Sequence, residues 1–433
     1  MKVKKSSPKD LEKYNSISLE DLSNAAKLKA DGLTIKTTHP AYPLMQAIKL
    51  IGGHSKYSDY FKQVSRSEIF STILMYGQPA FYVTISPLDH CHFLNFVIAN
   101  RTYDFNLGAL PPELEDRDFR LKQAAENPVS NAIFFTTLIN IILTKLFGFG
   151  NPDNAGQTNS YYGIFESQMR GTLHIHLMLW IKGCPSPDIL YEKLNSDENF
   201  KSELFEYLES IIYNDVEKFS NEANNVTDNS ILYQPILHPL NFVHQTDKMA
   251  DYFRSAIKIF QTHFHTFSCF KNPKTRGKCR MRMPCEMCKG TFFDPVSGEI
   301  CLKRLDKWIN SYNKHLTAIA NANTDIKFLF RTQGALNVIY YITMYITKSD
   351  DQIDNYYVLM KAAKQSLIDQ PMNSKVTDLS EPQMKARSLL LRTYRKIQSG
   401  VQISANIVAT LLLDLPMAYK SDLYVSINFF SLM

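Results

Sequence analysis

The run Gly171-Thr172-Leu173-His174-Ile175-His176-Leu177-Met178-Leu179-Trp180 constrains the fold more than any other part of the chain. It reads as a buried strand over Thr172 to Ile181. Side chains alternate faces along a strand, so His174 and His176 share one face, roughly 6.6 Å apart along the chain. Leu173, Ile175 and Leu177 point the other way, into a core. Two imidazoles on one face can converge on a divalent ion.

A second strand is expected upstream, over Tyr161 to Gln168. The three-residue connection from Met169 to Gly171 places Glu166 opposite His174 and Gln168 opposite Thr172. Glu166 is then the natural third, oxygen ligand, with Gln168 beside it. Mixed nitrogen and oxygen ligands with open positions suit Mg²⁺ or Mn²⁺ holding a phosphate. His-x-His is a short pattern, and it recurs at His90/His92 and His263/His265. Only the middle pair lies in a strand-like apolar run with a facing carboxylate. His90 and His92 read as loop residues.

A helix is expected over Leu336 to Lys348. On it, Tyr341 and Tyr345 are one turn apart on one face, and Lys348 follows on the same side. Ile342 and Ile346 form a separate apolar ridge. Two phenols and an ammonium on one helical face suit attack on a phosphate. A free phenol has a pKa of about 10, so such a nucleophile needs the phosphoryl oxygen to be polarised by a metal. The competing reading of a Tyr-x3-Tyr stripe is core packing with wet tips.

The chain has 433 residues, which suggests two or three folded units. Apolar residues are 45% and charged residues 21%, so a sizeable core can form. The net charge of +6 permits a polyanion partner without requiring one. The start, Met1-Lys2-Val3-Lys4-Lys5, has no apolar run behind it and is not read as a secretory signal. The uncharged stretch Asn131 to Thr144 is too short and too polar for a bilayer span of roughly 20 residues and reads as a buried helix. No membrane partner is expected.

Seven cysteines, four of them between Cys269 and Cys288, argue for metal rather than a disulfide framework. With His263 and His265 just upstream, Cys269, Cys279, Cys285 and Cys288 form a zinc signal, Zn²⁺ favouring four thiolate or imidazole ligands. Arg276, Lys278, Arg280 and Arg282 run through the cluster and suit contact with a DNA backbone.

The remaining elements follow from apolar period and punctuation. Residues 1–45 are polar and basic and read as an arm. Arg66 to Tyr76 is an amphipathic helix, and Ala80 to Ile85 a buried strand ended by Pro87. Pro111 to Asn127 is charged and reads as exposed. Pro128 opens a long apolar helix to about Phe147. Asp188 to Asn214, Asp247 to His263 and Leu302 to Ala320 read as helical, and Asp325 to Leu329 as a strand. The expected fold class is α+β, an antiparallel sheet with flanking helices and a zinc-binding insertion.

The segment Tyr161-Tyr162-Gly163-Ile164-Phe165-Glu166-Ser167-Gln168-Met169-Arg170-Gly171-Thr172-Leu173-His174-Ile175-His176, with Trp180, resembles the Helitron helicase-like N-terminal domain, the rolling-circle Rep nuclease of Helitron transposons. Gly77 to Asp89 is similar to that family's first strand, with Ser86 where an Asn usually precedes the Pro. Asn127-Pro128-Val129, Asn323 to Ile326, Tyr341-x3-Tyr345-x2-Lys348 and Ile403-Ser404-Ala405 with Leu411-Leu412 extend the likeness.

The resemblance implies an HUH/Rep nuclease over 46–350, with 262–301 as zinc-binding insertion and 351–433 as extension. His174 and His176 would be metal ligands, completed by Glu166 or Gln168. Tyr341 and Tyr345 would be the nucleophiles, Tyr340 being the rival for the first role. The resemblance favours His263 or His265 with Cys269 and Cys279 for zinc, while Cys285-x2-Cys288 keeps an all-Cys site open. Single-stranded DNA at transposon ends, a helicase in trans or in a longer chain, and a nuclear location are further implications. The chain lacks a Gly-x4-Gly-Lys-Ser/Thr phosphate loop, so ATP hydrolysis is not expected of it. A fragment, a decayed copy and a stand-alone nuclease all fit that absence. Two other classes stay open: a catalytically inactive, zinc-containing DNA-binding derivative, and an unrelated metal hydrolase that ignores the tyrosines.

Overall fold

The computed structural model describes residues 14–52, 59–100, 111–150, 158–168, 171–216, 246–270, 277–329, 340, 356–370, 380–399 and 403–425. The chain forms two compact units, one from residues 1–68 with 343–403, the other from 69–342 with 404–433.

The first unit is helical where described. Within the stretch expected to be an arm, Leu19–Ala30 form a helix. Its start is encoded locally by Ser18 and Asp21: the Ser18 hydroxyl accepts from the Asp21 amide at 3.0 Å, and the Asp21 carboxylate accepts from the Ser18 amide at 2.7 Å. Leu22 and Ala25 of this helix are buried with Leu44, Tyr357, Met360, Leu389 and Leu390 from the helices Tyr42–Gly52, Tyr356–Asp369 and Glu381–Ser399.

The second unit is α+β and is built on a five-stranded antiparallel sheet. Its strands are β1 (Phe81–Pro87), β2 (Thr158–Ser167), β3 (Leu173–Ile181), β6 (Ala322–Phe328) and β7 (Ala418–Lys420), in the order β6-β1-β3-β2-β7. A separate hairpin pairs β4 (Phe292–Asp294) with β5 (Glu299–Cys301). β3 is central and almost entirely buried, which is why its sequence is apolar on both faces. The β2–β3 register sets Glu166 against His174, Ile164 against His176 and Gly163 against Leu177. Gly163 leaves room there for Leu177: a Cβ would lie 2.4 Å from a Leu177 methyl, so that side chain would have to shift. Gly171, at φ +83°, makes the turn into β3.

One sheet face packs against the helix Pro128–Ile141, with Phe135 and Phe165 ring centroids 5.3 Å apart. By length and composition Pro128–Leu146 could cross a membrane, yet half of it is buried inside the fold. Its polar residue Asn131 is buried and bonded: its amide donates to the Asn406 side-chain oxygen at 3.1 Å, and Asn406 donates to the Gly171 carbonyl at 2.7 Å. The helix Ala405–Leu412 thereby fastens the turn that leads into β3.

Several expectations are corrected by the structure. Leu302 to Ala320 is helical only over Lys314–Ala320. Before it, Asp306 accepts from the Trp308 amide and the backbone bridges Cys288 to Arg304 and Thr262 to Ile309, so the amides are used in turns and ladders. Asn313 then caps the helix through the Leu316 amide. Pro111 to Asn127 is not simply exposed. It contains the helix Arg117–Glu126, whose Arg120 is buried and donates to the carbonyls of His90, Leu114 and Glu115.

His92 lies in the loop where expected, but it is buried and serves the framework. It caps the helix Phe93–Ala99, its Nδ1 accepting from the Leu94 amide at 3.2 Å while Nε2 faces the Ile319 carbonyl at 3.4 Å. Only a neutral ring can accept there. Burial, opposed by the Ile319 carbonyl, pulls its pKa down to about 4 from 6.5. Below pH 6.5 the unfolded chain binds a proton that the folded one refuses, so stability is full above 6.5 and is lost as pH falls towards 4. The loss is on the order of 3 kcal/mol. In urea titrations, His92→Asn keeps a cap acceptor and is expected to flatten this dependence; equal slopes in the two proteins would refute the assignment.

Candidate metal centre

β2 and β3 bring three donor atoms together. Glu166 Oε1 lies 2.8 Å from His174 Nε2 and 3.6 Å from His176 Nε2. The two Nε2 atoms are 3.1 Å apart, and the rings are nearly perpendicular, at 83°. These three residues form a group able to hold a metal ion. Cis donors around an ion with bonds of about 2.1 Å are about 3 Å apart, so the spacing fits one face of an octahedral shell. The opposite positions are left to other ligands. Both imidazoles are buried, and the Glu166 side chain is 30% exposed, which gives the group one open side.

The protonation states suit ligation. Burial alone would raise the Glu166 pKa, but the adjacent His174 and His176 rings outweigh it and bring it down to about 2. Burial keeps the His176 ring neutral, lowering its pKa against the opposing pull of Glu166. On its other side, His176 Nδ1 meets the Tyr82 hydroxyl at 2.5 Å and the Thr84 hydroxyl at 3.2 Å. His174 Nδ1 is buried with no hydrogen-bond partner among the described residues. Gln168 sits at the turn, exposed, its amide donating to the Thr172 carbonyl at 2.8 Å.

A second group lies after the helix Thr246–Gln261, where His263, His265 and Cys279 present donor atoms within 4.8 Å of one another. Cys269 joins them: its sulfur is 3.6 Å from His263 Nε2, and that of Cys279 is 3.3 Å away. Tetrahedral zinc with S and N bonds of about 2.3 and 2.0 Å would space such atoms by about 3.5 Å. Burial and the positive charge of Arg280 lower the His263 pKa. Burial would raise the Cys269 pKa, but hydrogen bonds from Thr266 and Cys279 and the nearby Arg280 bring it down.

Cys285 packs against Cys269 and Cys279, but neither its sulfur nor that of Cys288 is among the converging donor atoms. The Cys285 sulfur contacts Met283 at 3.5 Å, and that of Cys288 donates to the Gly290 carbonyl at 2.7 Å. Lys278, Arg280 and Arg282 are exposed around the group.

Tyr341, Tyr345, Lys348 and Arg276 lie outside the described residues; Tyr340 is described, helical and exposed. Sequence reasoning missed Tyr82 and Thr84. Both lie in a strand it expected, but nothing local shows that this strand pairs with β3.

No curated protein matches the chain. Residues 2–179, the part that carries Glu166, His174 and His176, match the Helitron helicase-like domain at N-terminus, the family whose pattern the sequence resembles.

Proposed function

We propose that the chain is an HUH-type endonuclease and strand transferase of a Helitron-like transposon, acting on single-stranded DNA through a 5′-phosphotyrosine. The observation that carries this reading is the convergence of Glu166 on β2 with His174 and His176 on the central strand β3 of an antiparallel sheet, inside the segment that matches the family. Mg²⁺ or Mn²⁺ bound there would supply Lewis-acid polarisation of the scissile phosphate. Glu166 would provide the anionic ligand, and His174 and His176 the two nitrogen donors.

Tyr341 or Tyr345 is the nucleophile. Its phenol oxygen bonds to phosphorus, the bond from phosphorus to the 3′ oxygen breaks, and the leaving oxygen takes up a proton as a free 3′-OH. The second tyrosine serves a second cut or the transfer, and Lys348 offers a positive charge to the phosphate. His263, His265, Cys269 and Cys279 hold structural Zn²⁺, and Arg276, Lys278, Arg280 and Arg282 lie against the DNA backbone.

The test is incubation of the folded protein with end-labelled single-stranded DNA and Mn²⁺, followed by a denaturing gel. A covalent adduct is expected, and it disappears in the double variant Tyr341→Phe, Tyr345→Phe. No adduct from folded protein sinks the proposal, and binding without cleavage then marks an inactive DNA-binding derivative. An adduct that persists in the double variant overturns the tyrosine assignment.

A further inference from the structure

We infer that Tyr82, assisted by Thr84, is a positioning residue that fixes the tautomer and ring orientation of His176 and so tunes the affinity of the metal centre. This rests on the reading of Glu166, His174 and His176 as ligands. A metal-binding imidazole must present a bare nitrogen to the ion, and the partner of the other nitrogen decides which one that is. In β1, Tyr82 and Thr84 stand on the same face as His176, Thr84 directly opposite it in the register. The Tyr82 hydroxyl is 2.5 Å from Nδ1 and the Thr84 hydroxyl 3.2 Å, while Nε2 turns to Glu166. The Tyr82 and His176 ring planes are nearly parallel, at 7°, with centroids 5.8 Å apart, so the phenol meets the imidazole edge end-on. That contact sets the ring's orientation, and the proton is assigned to Nδ1.

With the proton on Nδ1, donated to Tyr82 oxygen, the Nε2 lone pair is aimed at the metal position before any ion arrives. His174 has no such support among the described residues, since its Nδ1 is buried without a partner. The two ligands are therefore unequal: His176 is held in place ahead of binding, and His174 is steered through Nε2 by Glu166. Loss of an outer partner of this kind weakens metal binding by about 10–100-fold.

The test measures Mn²⁺ affinity, by calorimetry or by the spin resonance of free Mn²⁺, for the wild type, His176→Ala, Tyr82→Phe and Thr84→Val. Long-range ¹H–¹⁵N spectra of the metal-free protein report the His176 tautomer independently of any ion. Tyr82→Phe keeps the aromatic ring and removes only the hydroxyl, and is expected to lower affinity about 10–100-fold, with Thr84→Val lowering it less. The melting temperature in chelator should stay close to that of the wild type.

If wild type and His176→Ala bind Mn²⁺ equally, or neither binds it, the metal reading itself fails and the inference falls with it. If His176→Ala loses binding but Tyr82→Phe does not, the centre stands and the role of Tyr82 is overturned. A wild-type spectrum with the proton on Nε2 also overturns it, even if Tyr82→Phe does not fold.

Discussion

Glu166→Gln is expected to abolish Mn²⁺ binding for practical purposes, lowering affinity by more than about 100-fold, because even outer-shell partners of metal ligands are worth about 10–100-fold. The substitution keeps the shape of the side chain and removes its charge. Among the three converging residues Glu166 alone can carry a negative charge, and an imidazole binds a metal as a neutral donor. An amide oxygen cannot replace a carboxylate held ionised down to about pH 2. In the metal-free protein the same change should cost some stability, because the ionised carboxylate that His174 and His176 favour is lost, although the amide can still meet His174 Nε2 across 2.8 Å. The discriminating result is thus a collapse of affinity in protein that still melts cooperatively in chelator. Affinity within a few-fold of wild type would remove Glu166 from the ligand set.

The second large effect is expected at the other cluster. Cys279→Ser, or stripping metal with a strong chelator, should unravel the segment from His263 to Cys288 while leaving the sheet intact. The β4–β5 hairpin beyond it is held separately, Phe293 and Ile300 packing against Leu190 and Leu194. Among the described residues of the segment itself the regular structure is a short turn at Phe267–Phe270. Its buried cluster is Cys269, Cys279 and Met283, with Cys285 and Trp308 packed on them. So small a core cannot offset the entropy of ordering the chain, and small modules of this kind depend on a metal or a cross-link. The loss should amount to several kcal/mol of local stability. Amide exchange reads it directly, through the amides of His263, Cys285 and Cys288, which donate to Trp308, Lys307 and Arg304. Unchanged protection of these three after chelation would refute a structural metal.

What the sequence made legible follows from distance along the chain. The β2–β3 hairpin and the opposition of Glu166 to His174 could be read because a short turn fixes register locally. The antiparallel pairings of β1 with β3 and of β6 with β1 join segments far apart, and no local pattern announces them. The hydroxyls of Tyr82 and Thr84 were therefore visible as strand residues and invisible as partners of His176. The same holds for Asn131 and Asn406, separated by 275 residues. Arg120 was misjudged because a charge usually marks a wet face, whereas here three backbone carbonyls take its donors.

β7 has a practical consequence for anyone cloning this protein. A gene fragment stopped at residue 350 would still encode every converging side chain of both clusters. It would nevertheless strip β2 of the neighbour that pairs with Tyr162, Gly163 and Ile164. The bared row of amides and carbonyls is a template for a stray chain, so such a fragment would tend to precipitate rather than purify. It would also lack Asn406, the clasp on the turn before His174. Expression boundaries for the sheet-bearing unit therefore belong beyond residue 425, however early the chemistry ends.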